Sequence, residues 1–319
     1  MKFLVTGGAG FIGSSVVDRL LARGDDVVVL DNFDDFYNPG IKRRNIEAAL
    51  GNRKFKLVEG DIRDAGLVKK LFSEERFDMV FHPAARAGVR PSIVDPMLYE
   101  DVNIKGTMNL LEASRDNKVK GFIFASSSSV YGKNKKVPFS EEDNVDFPIS
   151  PYAATKKACE LICYTYHSLF SLNITCLRFF TVYGPRQRPE MAIHKFTRLI
   201  DQGKPVPMFG DGLSKRDYTY VDDIVDGVIK AADHNAPYDI FNIGESQTTE
   251  LRELIGLIEK YLCKKANIEK HPDQPGDVPI TYADITKSVR VLGYAPTTKV
   301  EEGVRKFVEW YKLNREFLG

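Results

Sequence analysis

The sequence predicts an α/β fold in which helices cover both faces of a doubly wound parallel sheet, together with a smaller mixed α/β region. Two observations support this prediction. Short, nearly all-apolar segments alternate with helix-compatible sequence in the first half of the chain, as expected for strands that are buried on both faces. After about Arg178 the pattern changes, because proline and glycine interrupt the apolar segments more often.

Six segments of the first half are predicted strands of this sheet. Each is short, rich in β-branched residues, and separated from the next by a helical pattern. They cover residues 2–6, 26–30, 55–58, 79–82, 121–125 and 173–177. Right-handed crossovers place the carboxyl ends of such strands at one edge of the sheet, and that edge is where a ligand is expected.

The second half of the chain has helical periodicity in four segments. These cover residues 193–202, 221–232, 249–261 and 300–314. Residues 239–243 form another short apolar run, similar to the strands of the first half. We therefore predict a first domain over residues 1–180 with a returning segment near 217–245, interleaved with a second domain over residues 181–319.

The chain of 319 residues has 45 basic and 44 acidic side chains. The formal net charge of +1 argues against nucleic acid as a partner. No apolar run approaches the ~20 residues of a membrane-spanning helix, so no membrane partner is predicted. The first residues lead directly into glycines without the pattern of a signal peptide, which favours a cytoplasmic location.

The four cysteines are Cys159, Cys163, Cys176 and Cys263, and they form no CxxC pair. No histidine accompanies Cys159 and Cys163 at the spacing of a metal site. The sequence therefore predicts reduced thiols that serve as small apolar residues, and it predicts no metal site.

A glycine-rich turn with Gly7, Gly10 and Gly13 follows the first predicted strand and precedes an amphipathic helix. Glycines allow a tight turn and a close approach to a pyrophosphate, which then faces the amides of the helix N-terminus. The second predicted strand ends at Asp31, whose carboxylate can accept hydrogen bonds from an adenosine ribose and would repel a 2′-phosphate. This order of elements predicts a Rossmann-type site that prefers NAD to NADP.

A tyrosine and a lysine, Tyr152 and Lys156, lie one helical turn apart after Ser150, which is a typical helix-capping residue. A tyrosine that acts as a base near neutral pH needs positive charge beside it. A lysine and an oxidised nicotinamide would supply that charge. The serines at 126–129 end the fifth predicted strand near this helix, where a hydroxyl can share a proton with the tyrosine.

Together these motifs resemble those of the extended short-chain dehydrogenases/reductases, and within them the NAD-dependent nucleotide-sugar 4-epimerases. The resemblance covers essentially the whole chain. Its motifs are Gly7 to Gly13, Asp61-Ile62, Ala84-Ala85, Asn103, the serines before Val130-Tyr131-Gly132, the Tyr152/Lys156 pair, and Arg216-Asp217-Tyr218 before Val221-Asp222-Asp223. The resemblance implies NAD held mainly in the first domain, a UDP-sugar held by the second, and inversion at C4 through a 4-keto intermediate.

The resemblance also implies roles for individual residues. Tyr152, Lys156 and Ser127 match the catalytic residues, and the serine run leaves the position of the catalytic serine open by one or two residues. The implied cofactor-binding residues are Gly7, Gly10, Phe11, Ile12, Gly13, Asp31, Asn32, Asp61, Ile62, Ala84, Ala85, Asn103, Tyr152, Lys156 and Phe180. The implied substrate-binding residues are Ser127, Ser128, Tyr152, Thr181, Arg188, Arg216 and Asp277.

Segments at 35–39, 180–192 and 275–284 are most similar to UDP-glucuronate 4-epimerases. Thr181 stands where epimerases for neutral hexoses commonly have asparagine, and a hydroxyl with Arg188 suits a sugar carboxylate. The competing interpretation is that Arg188 faces solvent. Arg86 departs from the glutamine that is common in the glucuronate group, so UDP-glucose/UDP-galactose and N-acetylated UDP-sugars stay open as substrates.

Other classes of protein on this fold are distinguished by a few positions. Dehydratases carry an acidic pair just before the Val-Tyr-Gly motif and decarboxylases a glutamate, whereas this chain has Ser128 and Ser129. The alternative outside enzymology is a non-catalytic NAD(H)-sensing protein, which would commonly have lost the tyrosine. The helix with Tyr152 has apolar residues around more of its surface than packing on one sheet requires. Together with the resemblance, this implies a homodimer through this helix and residues 97–114.

Overall fold

A computed structural model of the protein describes residues 1–272 and 278–318. The strands in chain order are β1 (Lys2–Thr6), β2 (Asp26–Asp31), β3 (Phe55–Glu59), β4 (Met79–His82), β5 (Gly121–Ser127), β6 (Ile174–Phe179), β7 (Thr181–Tyr183), β8 (Pro205–Phe209), β9 (Lys215–Arg216), β10 (Tyr218–Tyr220), β11 (Tyr238–Ile243), β12 (Thr249–Glu250) and β13 (Asn267–His271). The α-helices are α1 (Phe11–Arg23), α2 (Pro39–Asn45), α3 (Ala65–Glu75), α4 (Val89–Val94), α5 (Pro96–Tyr99), α6 (Gly106–Asp116), α7 (Pro151–Phe170), α8 (Ala192–Asp201), α9 (Val221–His234), α10 (Leu251–Leu262), α11 (Thr286–Leu292) and α12 (Val300–Leu318). Turns of 3₁₀ helix cover Glu47–Ala49 and Ser128–Tyr131, and a π-helical stretch covers Glu100–Lys105.

The central sheet has seven parallel strands in the order β11-β6-β5-β4-β1-β2-β3. The six strands predicted in the first half are all present, and the segment predicted near 239–243 returns as β11 beside β6. The doubly wound α/β fold class is therefore confirmed. The strand order reverses at β1, which has β2 on one side and β4 on the other, so a crevice opens at the carboxyl ends of β1 and β4.

Alternation along the strands explains why both faces of the sheet are covered. In β1, Phe3 and Val5 belong to one apolar cluster and Leu4 belongs to another. The first cluster includes side chains of α1 and α9, and the second includes side chains of α3, α6 and α7. Burial on both faces accounts for the continuous apolar sequence of these strands.

The remaining strands form three small pairs, β7 with β10, β8 with β13, and β9 with β12. The helices predicted at 193–202, 249–261 and 300–314 are α8, α10 and α12, with ends that differ by a few residues. Leu254 of α10 and Phe307 of α12 belong to the same apolar cluster as Phe3 and Val5. The core of the sheet therefore continues into the second half of the chain.

The cysteines are all free, and Cys159, Cys163 and Cys176 are buried as predicted for thiols that serve as apolar residues. Cys263 is exposed after the end of α10. Among the described residues, no group of His, Cys, Asp and Glu side chains has the arrangement of a metal site. No helix in residues 1–272 and 278–318 is both long and apolar enough to cross a membrane.

Candidate active site

A cavity of about 390 Å³ lies at the carboxyl edge of the central sheet. Its wall comes from segments that follow β1 to β6 and from the first turns of α1 and α7. The predicted site residues in this wall are Gly7, Gly10, Phe11, Ile12, Gly13, Asp31, Asn32, Asp61, Ile62, Ala84, Ala85, Ser127, Ser128, Tyr152, Lys156, Phe180, Thr181 and Arg188. The fold thus brings together residues from widely separated parts of the sequence.

The glycine turn after β1 is tightly packed. Gly7 has a φ of +60°, and a Cβ on it would lie 3.0 Å from the Cα of Ala84. A Cβ on Gly13 would lie 2.2 Å from the carbonyl oxygen of Gly7, so α1 and β1 approach as closely as predicted. Gly10 precedes α1 without a side-chain cap, which leaves the first helical amides to an anion.

Asp31 ends β2 with a carboxylate that two backbone amides hold in place. The amides of Ala9 and Phe33 donate to it at 3.0 and 2.9 Å. Burial raises the pKa of Asp31, and the two amides and the Lys42 ammonium oppose that effect. Lys42 is also buried and donates to the carbonyl oxygen of Asp34 at 2.6 Å. Sequence reasoning missed Lys42, whose only signal is its place in the basic run of a short helix.

Asp61 follows β3 and is a second carboxylate in the cavity wall. Asn32 donates to it at 3.0 Å and the Arg63 guanidinium at 2.8 Å. Burial acts to raise the pKa of Asp61, but hydrogen bonds from Arg63 and Asn32 outweigh it and lower the pKa to about 2. Asp61 is therefore an anionic hydrogen-bond acceptor at neutral pH.

Helix α7 begins as the sequence predicts. The Ser150 hydroxyl accepts a hydrogen bond from the amide of Ala153 at 3.1 Å. Tyr152 and Lys156 follow on one face, and both line the cavity. Lys156 is 4% exposed, and its ammonium donates to the carbonyl oxygen of Ala125 in β5 at 2.6 Å. This bond holds a positive charge beside the end of β5, where the serine run begins.

The serine run consists of the end of β5 and the 3₁₀ turn that follows. Ser126 donates to the buried carboxylate of Glu160 at 2.6 Å. Ser127 accepts a hydrogen bond from the amide of Ser129 at 3.1 Å and donates to the Ser129 hydroxyl at 3.1 Å. Because the Ser126 hydroxyl already donates to a buried carboxylate, the geometry favours Ser127 over Ser126 as the hydroxyl available to a ligand.

A buried ion pair lies behind the serines, and sequence reasoning did not identify it. Arg178 of β6 donates to Glu160 of α7 through Nε at 2.9 Å and through Nη2 at 2.8 Å. Both side chains are 1% exposed. The pair joins β5, β6 and α7 directly behind the site, and removal of either partner would leave an uncompensated buried charge.

Another part of the cavity wall contains Thr181 and Arg188. The Arg188 guanidinium lies 5.8 Å from the ring centre of Phe36 and pairs with Glu190 at 3.0 Å. Phe36 belongs to the loop between β2 and α2, and it lines the cavity. Arg86, which follows β4, also lines the cavity and pairs with Asp34 of that loop. Sequence reasoning noted Arg86 only as a departure from the family and did not place it in the wall.

Three predicted site residues are not part of this wall. Asn103 is 2% exposed and supports the wall from behind, through hydrogen bonds to the backbone of Arg86 and the hydroxyl of Thr155. Arg216 lies in β9, and its guanidinium donates to its neighbour's carbonyl oxygen at 2.8 Å. Asp277 lies outside the described residues. The ligand contacts implied for these three residues stay predictions.

A family model described as GDP-mannose 4,6 dehydratase matches residues 4–307 of this chain. The chain belongs to this family. UDP-glucuronate 4-epimerase 1 of Arabidopsis thaliana is 47% identical over an alignment of 331 positions, and this alignment covers 98% of this chain and 76% of the relative.

Solved structures of family members superpose on nearly the whole chain. The UDP-glucuronic acid 4-epimerase of Bacillus cereus, in complex with UDP-glucuronic acid and NAD, has a TM-score of 0.93 at 37% identity, covering 98% of this chain and 99% of that one. The UDP-glucose 4-epimerase of Thermotoga maritima, with UDP-glucose, has a TM-score of 0.92 at 36% identity, covering 99% and 100%.

Membership of the GDP-mannose 4,6-dehydratase family confirms the resemblance predicted from the motifs. The family model is named after a dehydratase, whereas the relatives and structures described above are 4-epimerases. Ser128 and Ser129 agree with the epimerases, because neither hydroxyl replaces the carboxyl group needed for loss of water.

Proposed function

We propose that this protein is an NAD-dependent UDP-glucuronate 4-epimerase, which interconverts UDP-glucuronate and UDP-galacturonate. One observation carries the proposal: Arg188 and Thr181 line the same cavity as Tyr152, Lys156 and Ser127. The first two residues are suited to a sugar carboxylate, and the other three to proton transfer. The 47% identity to a plant UDP-glucuronate 4-epimerase supports the carboxylated sugar.

The cavity wall fits NAD. The glycine turn, in which Gly13 leaves no room for a Cβ, and the free amides of α1 suit a pyrophosphate. The carboxylate of Asp31 is oriented by backbone amides, as required to accept hydrogen bonds from ribose hydroxyls. The chemistry that bound NAD would supply is reversible acceptance of a hydride from C4 of the sugar, with return to the opposite face. The other proposed contacts in this wall are Phe11, Ile12, Asn32, Asp61, Ile62, Ala84, Ala85 and Phe180.

Tyr152 is the proposed base for the proton of the sugar's 4-hydroxyl, and Ser127 orients or relays that proton. The Lys156 ammonium, held at the carbonyl oxygen of Ala125, is the proposed positive charge that lines the same cavity as this base. After the sugar has turned over, the same phenol returns the proton to the oxygen at C4. A single acid–base residue can therefore serve both directions of an epimerisation, which has no net change in protons or electrons.

The UDP group is the proposed anchor while the hexose turns over, because binding energy from a non-reacting part can hold the molecule in place. Arg216 is the proposed partner of the diphosphate, through charge-assisted hydrogen bonds, and Asp277 a further substrate contact. In this division, residues 1–180 with the returning segment near 217–245 mainly hold NAD, and residues 181–319 mainly hold the UDP-sugar.

A homodimer is the proposed assembly. Helix α7 leaves Leu161 and Leu169 exposed, at 56% and 72%, and Met108 of α6 is 43% exposed. These side chains support pairing through α7 and residues 97–114. The proposed location is the cytoplasm, where free thiols persist. A monomer in light scattering at micromolar concentration would contradict the dimer.

UDP-glucose/UDP-galactose epimerisation is the second candidate function. The TM-score of 0.92 with the Thermotoga maritima UDP-glucose 4-epimerase supports it. Turnover of the two sugars, offered separately, is the first measurement to make.

Arg188→Ala decides between the two candidates. A charge-assisted bond between a guanidinium and a carboxylate contributes about 1.5–3 kcal/mol, so kcat/KM for UDP-glucuronate should fall roughly 10- to 150-fold. UDP-glucose has no carboxylate, and its turnover should change little. Arg186→Ala is the matched control, because Arg186 pairs with Asp18 at 2.7 Å and is not among the cavity-wall residues.

Equal losses with both sugars would give Arg188 a structural role and favour the second candidate. A wild-type protein that binds NAD but turns over neither sugar would favour an NAD(H)-sensing role. Product analysis should include the decarboxylated 4-keto pentose, because a 4-keto uronic acid is a β-keto acid that loses CO₂ readily. A firm hold on the carboxylate should keep this side product low in the wild type and raise it in Arg188→Ala.

A further inference from the structure

Two guanidinium groups share one aromatic ring in the cavity wall. The Cζ of Arg86 lies 4.5 Å from the ring centre of Phe36, and the Cζ of Arg188 lies 5.8 Å from the same centre. Both arginines line the cavity together with Tyr152. The cavity therefore presents a second cation close to the one assigned above to the sugar carboxylate.

Each of these arginines is paired with a carboxylate that is more exposed than the arginine itself. Arg86 pairs with Asp34, with side chains 21% and 38% exposed, and Arg188 pairs with Glu190, at 22% and 43%. Ion pairs at such exposure contribute little to stability. An anionic ligand can therefore take the place of either carboxylate at small cost.

The backbone of Arg86 is fixed relative to the reacting tyrosine. Asn103 accepts a hydrogen bond from the Arg86 amide at 2.7 Å and donates to its carbonyl oxygen at 3.1 Å. The same Asn103 amide group donates to the Thr155 hydroxyl at 3.0 Å, and Thr155 lies on α7 between the two catalytic candidates. Arg86 is thus anchored to the helix that carries Tyr152.

A tyrosine connects the Arg86 loop directly to Tyr152. The hydroxyl of Tyr99 donates to the carbonyl oxygen of Ala87 at 2.8 Å, and its ring lies edge-on to Tyr152 with centres 6.2 Å apart. In a hexuronate, the carboxyl carbon C6 is separated from the reacting carbon C4 only by C5. A cation near the base for the 4-hydroxyl is therefore also near the position of the carboxylate.

We propose that Arg86 is a specificity-determining residue, which releases Asp34 and binds the carboxylate of a UDP-hexuronate together with Arg188. The proposal rests on the proposed function and deepens it. Each guanidinium carries several N–H donors and a carboxylate accepts through two oxygens, so both arginines can donate to one carboxylate. The diphosphates of cofactor and substrate have their own proposed partners in the α1 N-terminus and Arg216.

The test compares Arg86→Gln, Arg86→Lys and Asp34→Asn in the NAD-loaded protein. Calorimetry measures the Kd of UDP-glucuronate and of UDP-glucose, and absorbance after denaturation measures the NAD content. Arg86→Gln should raise the Kd of UDP-glucuronate about 5- to 20-fold and the Kd of UDP-glucose less than about twofold. Arg86→Lys should recover part of the loss, because it keeps the charge without the planar fork.

Asp34→Asn separates carboxylate binding from a purely structural latch. Asparagine keeps the oxygen that accepts the Phe36 amide at 2.9 Å, but it loses the charge that competes for Arg86. We expect Asp34→Asn to lower the Kd of UDP-glucuronate about 2- to 5-fold. If Arg86 only holds the loop with Asp34 in place, Asp34→Asn should raise the Kd of both sugars to the same extent as Arg86→Gln.

Three results would overturn the proposal: equal weakening of both sugars by Arg86→Gln, loss of NAD from that variant, or weaker UDP-glucuronate binding by Asp34→Asn. Arg188→Ala keeps this failure distinct from failure of the proposed function. If Arg188→Ala discriminates between the sugars and Arg86→Gln does not, only the role of Arg86 is wrong. If Arg188→Ala does not discriminate and the wild type does not turn over UDP-glucuronate, the proposed function itself is wrong.

Discussion

Two parts of the cavity are built by different kinds of contact. The proposed cofactor wall, with the glycine turn 7–13 and Asp31, is held by backbone groups, such as the amides of Ala9 and Phe33 on the Asp31 carboxylate. The proposed sugar wall, with Arg86, Arg188 and Phe36, is held by two arginine side chains that contact the Phe36 ring and pair with exposed acids. Backbone contacts persist as long as the fold does, whereas exposed side-chain pairs exchange partners readily.

This difference suits an epimerase of the proposed kind. The cofactor ends each cycle in the state in which it began, so nothing requires it to leave. The sugar must enter, turn over and leave in every cycle. A rigid cofactor wall and an exchangeable sugar wall satisfy both needs, and variants on the two walls should therefore have separable effects.

The largest expected effect comes from the base. Tyr152→Phe keeps the ring, including its contact with Tyr99, but removes the oxygen that is proposed to take the proton. Turnover should fall at least ~100-fold. The cofactor wall is untouched, so the purified variant should retain NAD, as measured by absorbance of the nucleotide released on denaturation. Near-normal turnover would remove Tyr152 from the catalytic role.

Gly13→Ala, in contrast to Tyr152→Phe, should affect the binding of NAD. The added Cβ would lie 2.2 Å from the Gly7 carbonyl oxygen and 2.8 Å from the Cα of Gly8, both in the backbone of the turn. We expect loss of NAD and a free energy of unfolding lowered by about 2–3 kcal/mol, measured by urea denaturation. Gly256→Ala in α10 is the control, because its Cβ meets no atom within 4 Å and alanine favours helix by roughly 0.5–1 kcal/mol. A Gly13→Ala variant that retains NAD would argue against the tight-turn explanation.

A buried acid in the second half of the chain gives a pH-dependent effect. Glu245 is 5% exposed, and burial raises its pKa from the usual 4.5 to about 7. Between these values the folded protein holds a proton that the unfolded chain has lost, so stability should fall as pH rises to about 7. In the wild type, the free energy of unfolding should therefore be lower at pH 8 than at pH 5. Glu245→Gln should reduce this difference by about 2 kcal/mol, measured by denaturation at the two pH values.

The control for that measurement is Glu253→Gln, which changes an exposed carboxylate on α10 and should leave the pH dependence as it is. Asp217 contributes in the same direction, because burial raises its pKa to about 6, and it is unchanged in both variants. An identical pH dependence in the wild type and Glu245→Gln would show that Glu245 is ionised throughout this range.

Asp31→Ala should have the smallest effect, on the choice of cofactor. The carboxylate can accept hydrogen bonds from a ribose and would repel a 2′-phosphate, so the wild type should prefer NAD to NADP. Asp31→Ala should lower the ratio of the Kd of NADP to the Kd of NAD by about 10-fold, measured by calorimetry on cofactor-free protein. The preference between sugars should stay as it is. Equal affinity of the wild type for NAD and NADP would contradict the role of Asp31.

The fold was predictable because its signals are local. A strand that is buried on both faces must be apolar at every position, and the glycine turn has its own spacing, so both can be read from a few adjacent residues. The short strands of the second half, such as β9 and β12, have two residues each and carry no comparable pattern.

The site was predictable only where a motif marks it. Tyr152 and Lys156 share one helical turn, but Arg86 reaches Asp34 across 52 positions of the sequence, and Glu160 reaches Arg178 from a different element. Such contacts depend on how loops and helices pack, which no periodicity records. Asn103 belongs to a motif and could therefore be predicted as a site residue. Its position behind the cavity wall depends on packing and could not be predicted from the sequence.

The π-helical stretch Glu100–Lys105 gives Asn103 a further significance. An extra residue in a helical turn widens it and rotates every side chain that follows. A deletion of one residue there would restore an even helix, but the Asn103 amide would no longer meet both the Arg86 backbone and Thr155. A local irregularity of the helix thus sets the alignment of two distant segments, and a shift of this stretch by one position would misalign the Arg86 loop although no residue of the cavity wall had changed.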